Sequence, residues 1–305
     1  MPEKINIWGP PTPNANLQPQ GRNTNEVIAS TKPVRRIRWG LADALMGIGL
    51  MLALQILMAI GLVVYIAYEL LSEEGAIEDF DPTTVTFDQA LSGPFLFASA
   101  LAMYLAWWIA IRHASKKKGF ASYAKDFWLR MNWKRDILLG IVLAGFLRLA
   151  EQGIFWFLGN VVGINLDDMG NTEAIMGQQG VWLFINAVVV AALLAPFFEE
   201  VFFRGLFLQG LMRTLNKSRI KRKGVHTWLS RKRATIAIIV SSIAFGLMHF
   251  QGDPSSLGHW LVVIQTGLIG LIFAIITIKT KRLGLAIVGH IAFNLSGVLL
   301  VYFLG

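Results

Sequence analysis

The chain has 305 residues, of which 54% are hydrophobic and only 15% are charged, and its mean hydropathy is +0.54. A composition this apolar excludes an ordinary soluble domain and is typical of a protein with several membrane-spanning helices. The net charge of +9 could indicate nucleic-acid binding, but the basic residues lie in blocks between apolar runs, as juxtamembrane charges do, so we expect no nucleic-acid partner. The absence of cysteine excludes a disulfide framework, a thiolate zinc site and a cysteine nucleophile.

The first 38 residues are rich in proline, asparagine and glutamine, which predicts a disordered tail. Basic and aromatic residues at 32–39 then predict an anchor at the membrane interface. We expect residues 39–134 to contain the first two spans and a basic interfacial connection. Residues 135–305 form the remaining unit, which carries the polar motifs described below.

Apolar runs of membrane-spanning length recur along the whole chain after the tail. They predict an all-α fold, a polytopic membrane helical bundle with about seven transmembrane helices. The runs lie at 41–68, 93–111, 137–160, 181–211, 235–250, 260–278 and 283–304.

The basic residues predict the orientation of this bundle. Of the 28 Lys and Arg residues, 26 lie in the tail and in three connections, and these alternate with three connections that contain none. By the positive-inside rule the N-terminus is cytoplasmic. We therefore expect a multi-pass integral membrane protein in the lipid bilayer of a bacterial plasma membrane, with an endoplasmic-reticulum-type membrane as the alternative.

The fourth run contains two adjacent carboxylates and an arginine, Glu199, Glu200 and Arg204. Ionisable groups at membrane depth are costly and indicate a functional site. At about 100° per residue, Glu200 and Arg204 share a helical face and can pair, whereas Glu199 points about a quarter-turn away. The pattern predicts one neutralised carboxylate and one free carboxylate that can take a proton from water.

Two later runs carry further polar residues, His249 in the fifth and His290 with Asn294 in the seventh. Counted at about 1.5 Å per residue from the cytoplasmic ends of their spans, these side chains and the Glu-Glu-Arg group fall in one central slab. A single histidine in an apolar span is more often a structural hydrogen bond, but convergence from three helices favours a site. Arg148 and Glu151, three residues apart in the third run, are expected to form a structural tie.

Three motifs, Glu-Glu-x-x-x-Arg at 199–204, Phe-x-x-x-His at 245–249 and His-x-x-x-Asn at 290–294, occur in this order on successive apolar helices. Together they resemble the CPBP family, which contains the type II CAAX prenyl endopeptidases and the bacteriocin-processing and self-immunity (Abi) proteins. The resemblance covers roughly 135–305 and implies that this region is a catalytic membrane core. Members often have eight spans, one more than we count here.

The resemblance implies an intramembrane endopeptidase in which Glu199 activates the attacking water. By similarity, Glu200, Arg204 and His249 support this glutamate, and His290 and Asn294 stabilise the oxyanion. A carboxylate and two imidazoles can also hold zinc with an open position for water, so Glu199, His249 and His290 are possible metal ligands. The residues leave open whether the reaction needs zinc or no cofactor at all.

Several substrates and two other functions remain open from the sequence. Prenylated C-terminal peptides, leader peptides and segments of membrane proteins are all compatible substrates. A non-catalytic immunity or adaptor protein of the same fold is the first alternative, although the complete set of six polar residues argues against it. A proton-coupled transporter is the second, but such proteins usually contain internal repeats, which we do not find here.

Overall fold

The structure is a computed structural model that describes residues 39–72, 93–117, 123–164, 180–217, 228–250 and 254–304. Every regular element in these segments is a helix, which confirms the all-α prediction. A bilayer favours this outcome, because a helix satisfies all of its backbone hydrogen bonds internally. The predicted tail at 1–38 lies outside the described residues.

Eight helical stretches follow one another in the described part of the chain. They are α1 (Leu41–Ser72), α2 (Gly93–Lys116), α3 (Tyr123–Asp126), α4 (Trp133–Phe157), α5 (the continuous stretch 180–217), α6 (Trp228–Leu247), α7 (Leu257–Thr280) and α8 (Gly284–Leu304).

Within the described segments, six of these stretches are long and apolar enough to cross a membrane, namely α1, α2, α4, α5, α7 and α8. The protein is therefore an integral membrane helical bundle. The fifth predicted span, 235–250, corresponds to α6, which begins earlier, at Trp228, and ends at Leu247. Three basic residues at 231–233 make the first half of α6 more polar than the other spans. With α6, the bundle agrees with the predicted number of about seven.

The long helix α5 departs from the α-helical hydrogen-bonding register in two segments. Its α-helical parts, Gly180–Leu183, Ala195–Glu199 and Leu208–Lys217, alternate with two π-helical segments, Phe184–Leu194 and Glu200–Phe207. Pro196 lies between the π segments, where its missing N–H and its ring prevent a regular α-helical ladder. Departures from α-helical register of this kind are frequent at functional sites.

The second π segment of α5 lies in the centre of the bundle. Every residue of Glu200–Phe207 is buried. Trp107 of α2 stacks on Phe202 with ring centres 4.7 Å apart, and Phe245 of α6 meets the Phe203 ring edge-on at 5.1 Å. Surrounding helices thus cover α5 on several sides and shield its polar residues from lipid.

Helices α6 and α7 approach each other through glycines. A Cβ atom added to Gly246 would lie 2.4 Å from the carbonyl oxygen of Val263 and 3.1 Å from the Cα of Gly267. Small residues are the usual means of bringing helices together in lipid, where apolar burial gives little driving force. This close packing holds the histidine at the end of α6 near α5 and α8.

At the other end of the bundle, the connection between α3 and α4 docks onto the helix ends. The backbone N–H of Leu283 donates to the Trp128 carbonyl at 2.9 Å, and that of Gly284 donates to the Arg130 carbonyl at 3.0 Å. Phe127 stacks on Trp39 with ring centres 5.1 Å apart. The basic and aromatic connection therefore determines where α8, which carries two of the predicted site residues, begins.

Candidate active site

Glu200 and Arg204 form a buried ion pair within α5. Oε1 of Glu200 lies 2.9 Å from Nη1 of Arg204, and their side chains are 0% and 1% exposed. Nη2 of Arg204 donates to the carbonyl oxygen of Gly270 on α7 at 3.1 Å, and its guanidinium lies 4.1 Å from the centre of the Phe245 ring. The pair expected from the four-residue spacing is present, and three helices hold the arginine.

Gly270 leaves the room that Arg204 needs to reach α7. A Cβ atom at this position would lie 2.8 Å from Cδ1 of Phe245 and 3.0 Å from Nη2 of Arg204. The hydrogen on the glycine Cα therefore allows the guanidinium to reach the backbone carbonyl. From sequence alone, a glycine in an apolar helix indicates close packing, and nothing in it identifies the partner.

His290 of α8 lies between the two glutamates. Its Nδ1 is 3.0 Å from Oε1 of Glu200, and its Nε2 is 3.7 Å from Oε2 of Glu199. Because an ionised carboxylate only accepts hydrogen bonds, Nδ1 carries the hydrogen that faces Glu200. The Phe273 and Phe245 rings, with centres 5.6 and 5.9 Å from the imidazole, fix its plane.

Glu199 also faces the second histidine. Oε2 of Glu199 is 3.8 Å from Nε2 of His249, whose Nδ1 lies 2.8 Å from the Phe245 carbonyl oxygen. A carbonyl only accepts, so Nδ1 carries the hydrogen and Nε2 is directed at the glutamate. Distances of 3.7 and 3.8 Å exceed those of direct hydrogen bonds and suit a bridging water.

The two glutamates differ in their surroundings as well as in their partners. Oε2 of Glu199 is buried and has no hydrogen-bond partner within the described part of the chain. Its histidine neighbours differ in exposure, since the His249 side chain is 27% exposed and the His290 side chain only 6%. The site therefore opens on the side of His249, and Glu199 lies at the inner end of that opening.

Asn294 lies one turn after His290 on α8 and binds a backbone carbonyl. Its Nδ2 donates to the carbonyl oxygen of Ala191 in α5 at 2.9 Å. It lies four positions after His290, which corresponds to about 6 Å along α8. Five of the six predicted side chains therefore converge, and the sixth binds α5 one helical turn away.

Tyr104 of α2 is a neighbour of the site that the sequence does not indicate. Tyr104 is 3% exposed, and its ring stacks on Phe198 with ring centres 4.8 Å apart. The hydroxyl lies within electrostatic range of Glu199. A lone tyrosine in an apolar span carries no motif, so only the packing of α2 against α5 reveals it.

The predicted tie between Arg148 and Glu151 is present and is part of a second polar cluster. The two side chains form an ion pair in α4, and Gln265 of α7 donates to Glu151. Arg148 also donates to the Phe293 carbonyl of α8 at 2.7 Å. This cluster therefore joins α4, α7 and α8. One of its contacts on α8 is Phe293, the residue directly before Asn294, so the cluster lies next to the site and has a structural role.

The possible zinc ligands Glu199, His249 and His290 are neighbours. However, the described ranges contain no group of three or more His, Cys, Asp or Glu side chains that is placed to hold a metal ion. Zinc would require ligand distances of about 2.0–2.2 Å from one common point. We derive no chemical step through a metal ion.

Comparison with known proteins agrees with the motifs. Residues 181–296 match the model of a family described as type II CAAX prenyl endopeptidase Rce1-like. This segment is a little over a third of the chain and contains all six predicted site residues. No curated protein and no solved structure matches. The resemblance is thus confirmed over this segment: the protein is an integral membrane protein whose residues 181–296 are similar to the type II CAAX prenyl endopeptidase family, consistent with the wider CPBP family.

Proposed function

We propose that this chain is an intramembrane endopeptidase that hydrolyses a peptide bond with a water molecule activated by Glu199. One observation carries the proposal: the unpaired Oε2 of Glu199 faces the Nε2 atoms of His249 and His290 at 3.8 and 3.7 Å. Glu200 differs in that its Oε1 pairs with Arg204 and His290. The space between these three atoms suits a water molecule that donates to the glutamate.

Charge balance suggests how the remaining residues contribute. Two ionised glutamates and one guanidinium leave a net charge of −1, which is unfavourable away from water. One additional proton makes the group neutral, and His290, which lies between both carboxylates, is placed to carry it. A doubly protonated imidazole donates from Nε2 as well as from Nδ1, so His290 can stabilise a developing oxyanion.

The reaction can then be written with these residues alone. Glu199 takes a proton from the water held between it and His249, and the resulting hydroxide adds to the carbonyl carbon of the substrate. His290 and Asn294 donate to the oxyanion of the tetrahedral intermediate. When the C–N bond breaks, the proton on Glu199 passes to the leaving nitrogen, which regenerates the carboxylate.

Glu200 and Arg204 support this chemistry without touching the substrate. Glu200 binds His290 at Nδ1 and so directs Nε2 towards Glu199. Arg204 neutralises Glu200, and the Gly270 carbonyl and the Phe245 face hold the guanidinium in place. A fixed hydrogen bond on one imidazole nitrogen determines what the other nitrogen can do.

The surroundings of Glu199 favour a membrane-associated or lipidated substrate. An apolar groove of about 540 Å³ runs beside α5 and is lined by Tyr104, Phe198 and Val201 among others. Tyr104 stacks on Phe198 and also interacts electrostatically with Glu199. An apolar chain in this groove would lie beside Tyr104, whose hydroxyl is within electrostatic range of Glu199.

The extent and orientation of the enzyme are further parts of the proposal. We include α4 in the catalytic core and retain the limits 135–305, because α4 packs along α8 beyond the segment matched by the family. The alternation of basic connections supports a cytoplasmic N-terminus. We place the protein in a bacterial plasma membrane.

The test is peptide cleavage by the purified protein in lipid nanodiscs. We expect cleavage of a fluorogenic prenylated peptide and its complete loss with Glu199→Gln. Glu199→Asp is the matched control, since it retains a carboxylate and should retain residual activity. Cleavage by Glu199→Gln at the wild-type rate, or binding of the peptide by wild type without cleavage, would contradict the proposal.

A further inference from the structure

We propose that Pro196 is a positioning residue for Asn294. Pro196 has no backbone N–H to donate to the Ala191 carbonyl. This carbonyl is therefore free to accept from the Asn294 amide and fixes its orientation. The inference deepens the proposed function, on which it rests, because it concerns how the oxyanion donor is held.

The hydrogen-bond register of α5 leaves the Ala191 carbonyl without a donor from its own helix. The N–H of Ala195, which would serve Ala191 in an α-helix, donates to Val190 five residues back. In this π register the donor for Ala191 would be the N–H of residue 196. That residue is proline, which has no N–H.

Asn294 supplies the missing donor. Its Nδ2 lies 2.9 Å from the Ala191 oxygen, and this contact joins α8 to α5. An unsatisfied backbone carbonyl is unfavourable at membrane depth, so the contact is expected to persist. Pro196, which leaves the Ala191 carbonyl without a donor, lies on α5, whereas Asn294, which donates to this carbonyl, lies on α8.

The contact also selects one orientation of the amide. A carbonyl oxygen only accepts, so it binds the NH₂ end of the Asn294 carboxamide and not the oxygen. The nitrogen has two hydrogens, and the one not used by Ala191 can serve the oxyanion. Without the Ala191 acceptor, the amide could rotate by about 180° and present its oxygen, which would repel an oxyanion.

Pro196→Ala tests this reasoning because it restores the N–H at residue 196. We expect the Ala191 carbonyl to accept from this N–H, Asn294 to lose its fixed orientation, and kcat to fall with little change in KM. The loss should approach that of Asn294→Ala, for which removal of one oxyanion donor predicts about 10²–10³-fold. The variant should stay folded, since alanine is a far better helix former than proline.

Pro94→Ala is the matched control. It makes the same chemical change in the first turn of α2, where a helix does not use the N–H. We expect wild-type kcat from this variant. A similar kcat for Pro196→Ala and Pro94→Ala would overturn the inference.

A double variant separates action through Asn294 from a general effect on α5. In the Asn294→Ala background, Pro196→Ala should cause no further loss of kcat, because the group that it acts on is already absent. If the two losses multiply, Pro196 acts elsewhere, for instance on the placement of Glu199, and the inference is wrong.

A measurement that does not depend on activity keeps this inference distinct from the proposed function. In protein labelled with ¹⁵N-asparagine, the side-chain amide signal of Asn294, assigned by its loss in Asn294→Asp, should shift in Pro196→Ala and not in Pro94→Ala. An unchanged signal in Pro196→Ala overturns the inference even in an active enzyme. A shift in a protein that cleaves no peptide supports the contact and refutes the proposed function alone.

Discussion

Changing each of the two adjacent glutamates to glutamine should affect activity and stability differently. Glu199→Gln should abolish peptide cleavage and leave the melting temperature unchanged or slightly higher. Glu200→Gln should lower both. The substitutions are nearly isosteric and lie one residue apart, so a difference between them reflects the partners of each carboxylate.

The expected loss of stability in Glu200→Gln follows from the partners that the substitution leaves unpaired. Glu200 is fully buried, and its Oε1 lies 2.9 Å from Arg204 and 3.0 Å from His290. Its neutralisation leaves a guanidinium that is 1% exposed without its ion-pair partner, which costs about 3–5 kcal/mol. For a chain of this size, that loss corresponds to a decrease in melting temperature on the order of 10 °C.

Glu199 has no ion pair or hydrogen bond as close as those of Glu200. Its nearest charged or imidazole partner lies 3.7 Å away, and Oε2 accepts no hydrogen bond from the residues that the structure describes. Removal of a desolvated, unpaired charge at an active site often leaves stability unchanged or improves it. The same removal takes away the base, so turnover should stop.

The assay combines thermal melting in one detergent with peptide cleavage on the same preparations. Melting is followed by tryptophan fluorescence, and cleavage is measured well below the lower melting temperature. Equal melting temperatures for the two variants would refute the argument that Glu200 and Arg204 form an obligatory buried pair. Retained cleavage by Glu199→Gln would refute its role as the base.

Three further predictions follow from the geometry and the charge distribution. Gly270→Ala should reduce activity and stability, because the added Cβ would meet Phe245 at 2.8 Å, whereas Gly145→Ala, with nothing within 4 Å, should behave as wild type. Equal activity and melting temperature of the two variants would contradict this. An alkaline-phosphatase fusion at Lys221 should be inactive in bacteria, and an active fusion would reverse the predicted topology. Because the proposed reaction uses only side chains of this protein, peptide cleavage should survive treatment with a strong chelator followed by dialysis, and a loss restored by zinc alone would show that a metal is required.

Much of this protein follows from local rules that need no knowledge of the fold. The length and spacing of the apolar runs predict a helical membrane bundle, since only helices and closed barrels satisfy the backbone in lipid. The four-residue spacing of Glu200 and Arg204 predicts their pairing, because such residues are neighbours on one helix. The tie between Arg148 and Glu151 follows in the same way.

The sequence also predicts that the polar motifs lie at similar depths, but not how they face one another. Depth is a count along each helix, whereas direction depends on the rotation of each helix against its neighbours. The convergence of the His249 and His290 Nε2 atoms on Glu199 depends on such rotations. Tyr104 joins the surroundings of Glu199 for the same reason, although it lies on a helix without a motif.

The partners of Arg204 and Asn294 are backbone carbonyls, and the tertiary structure alone identifies them. The Gly270 oxygen can be reached because the missing side chain lets a guanidinium approach a helix that is remote in sequence. The Ala191 oxygen is available because α5 is π-helical before Pro196, whereas a periodicity of 3.6 residues would assign the N–H of Ala195 to it. Side-chain patterns therefore identify which residues carry the chemistry, and the helix register and packing decide which atoms meet.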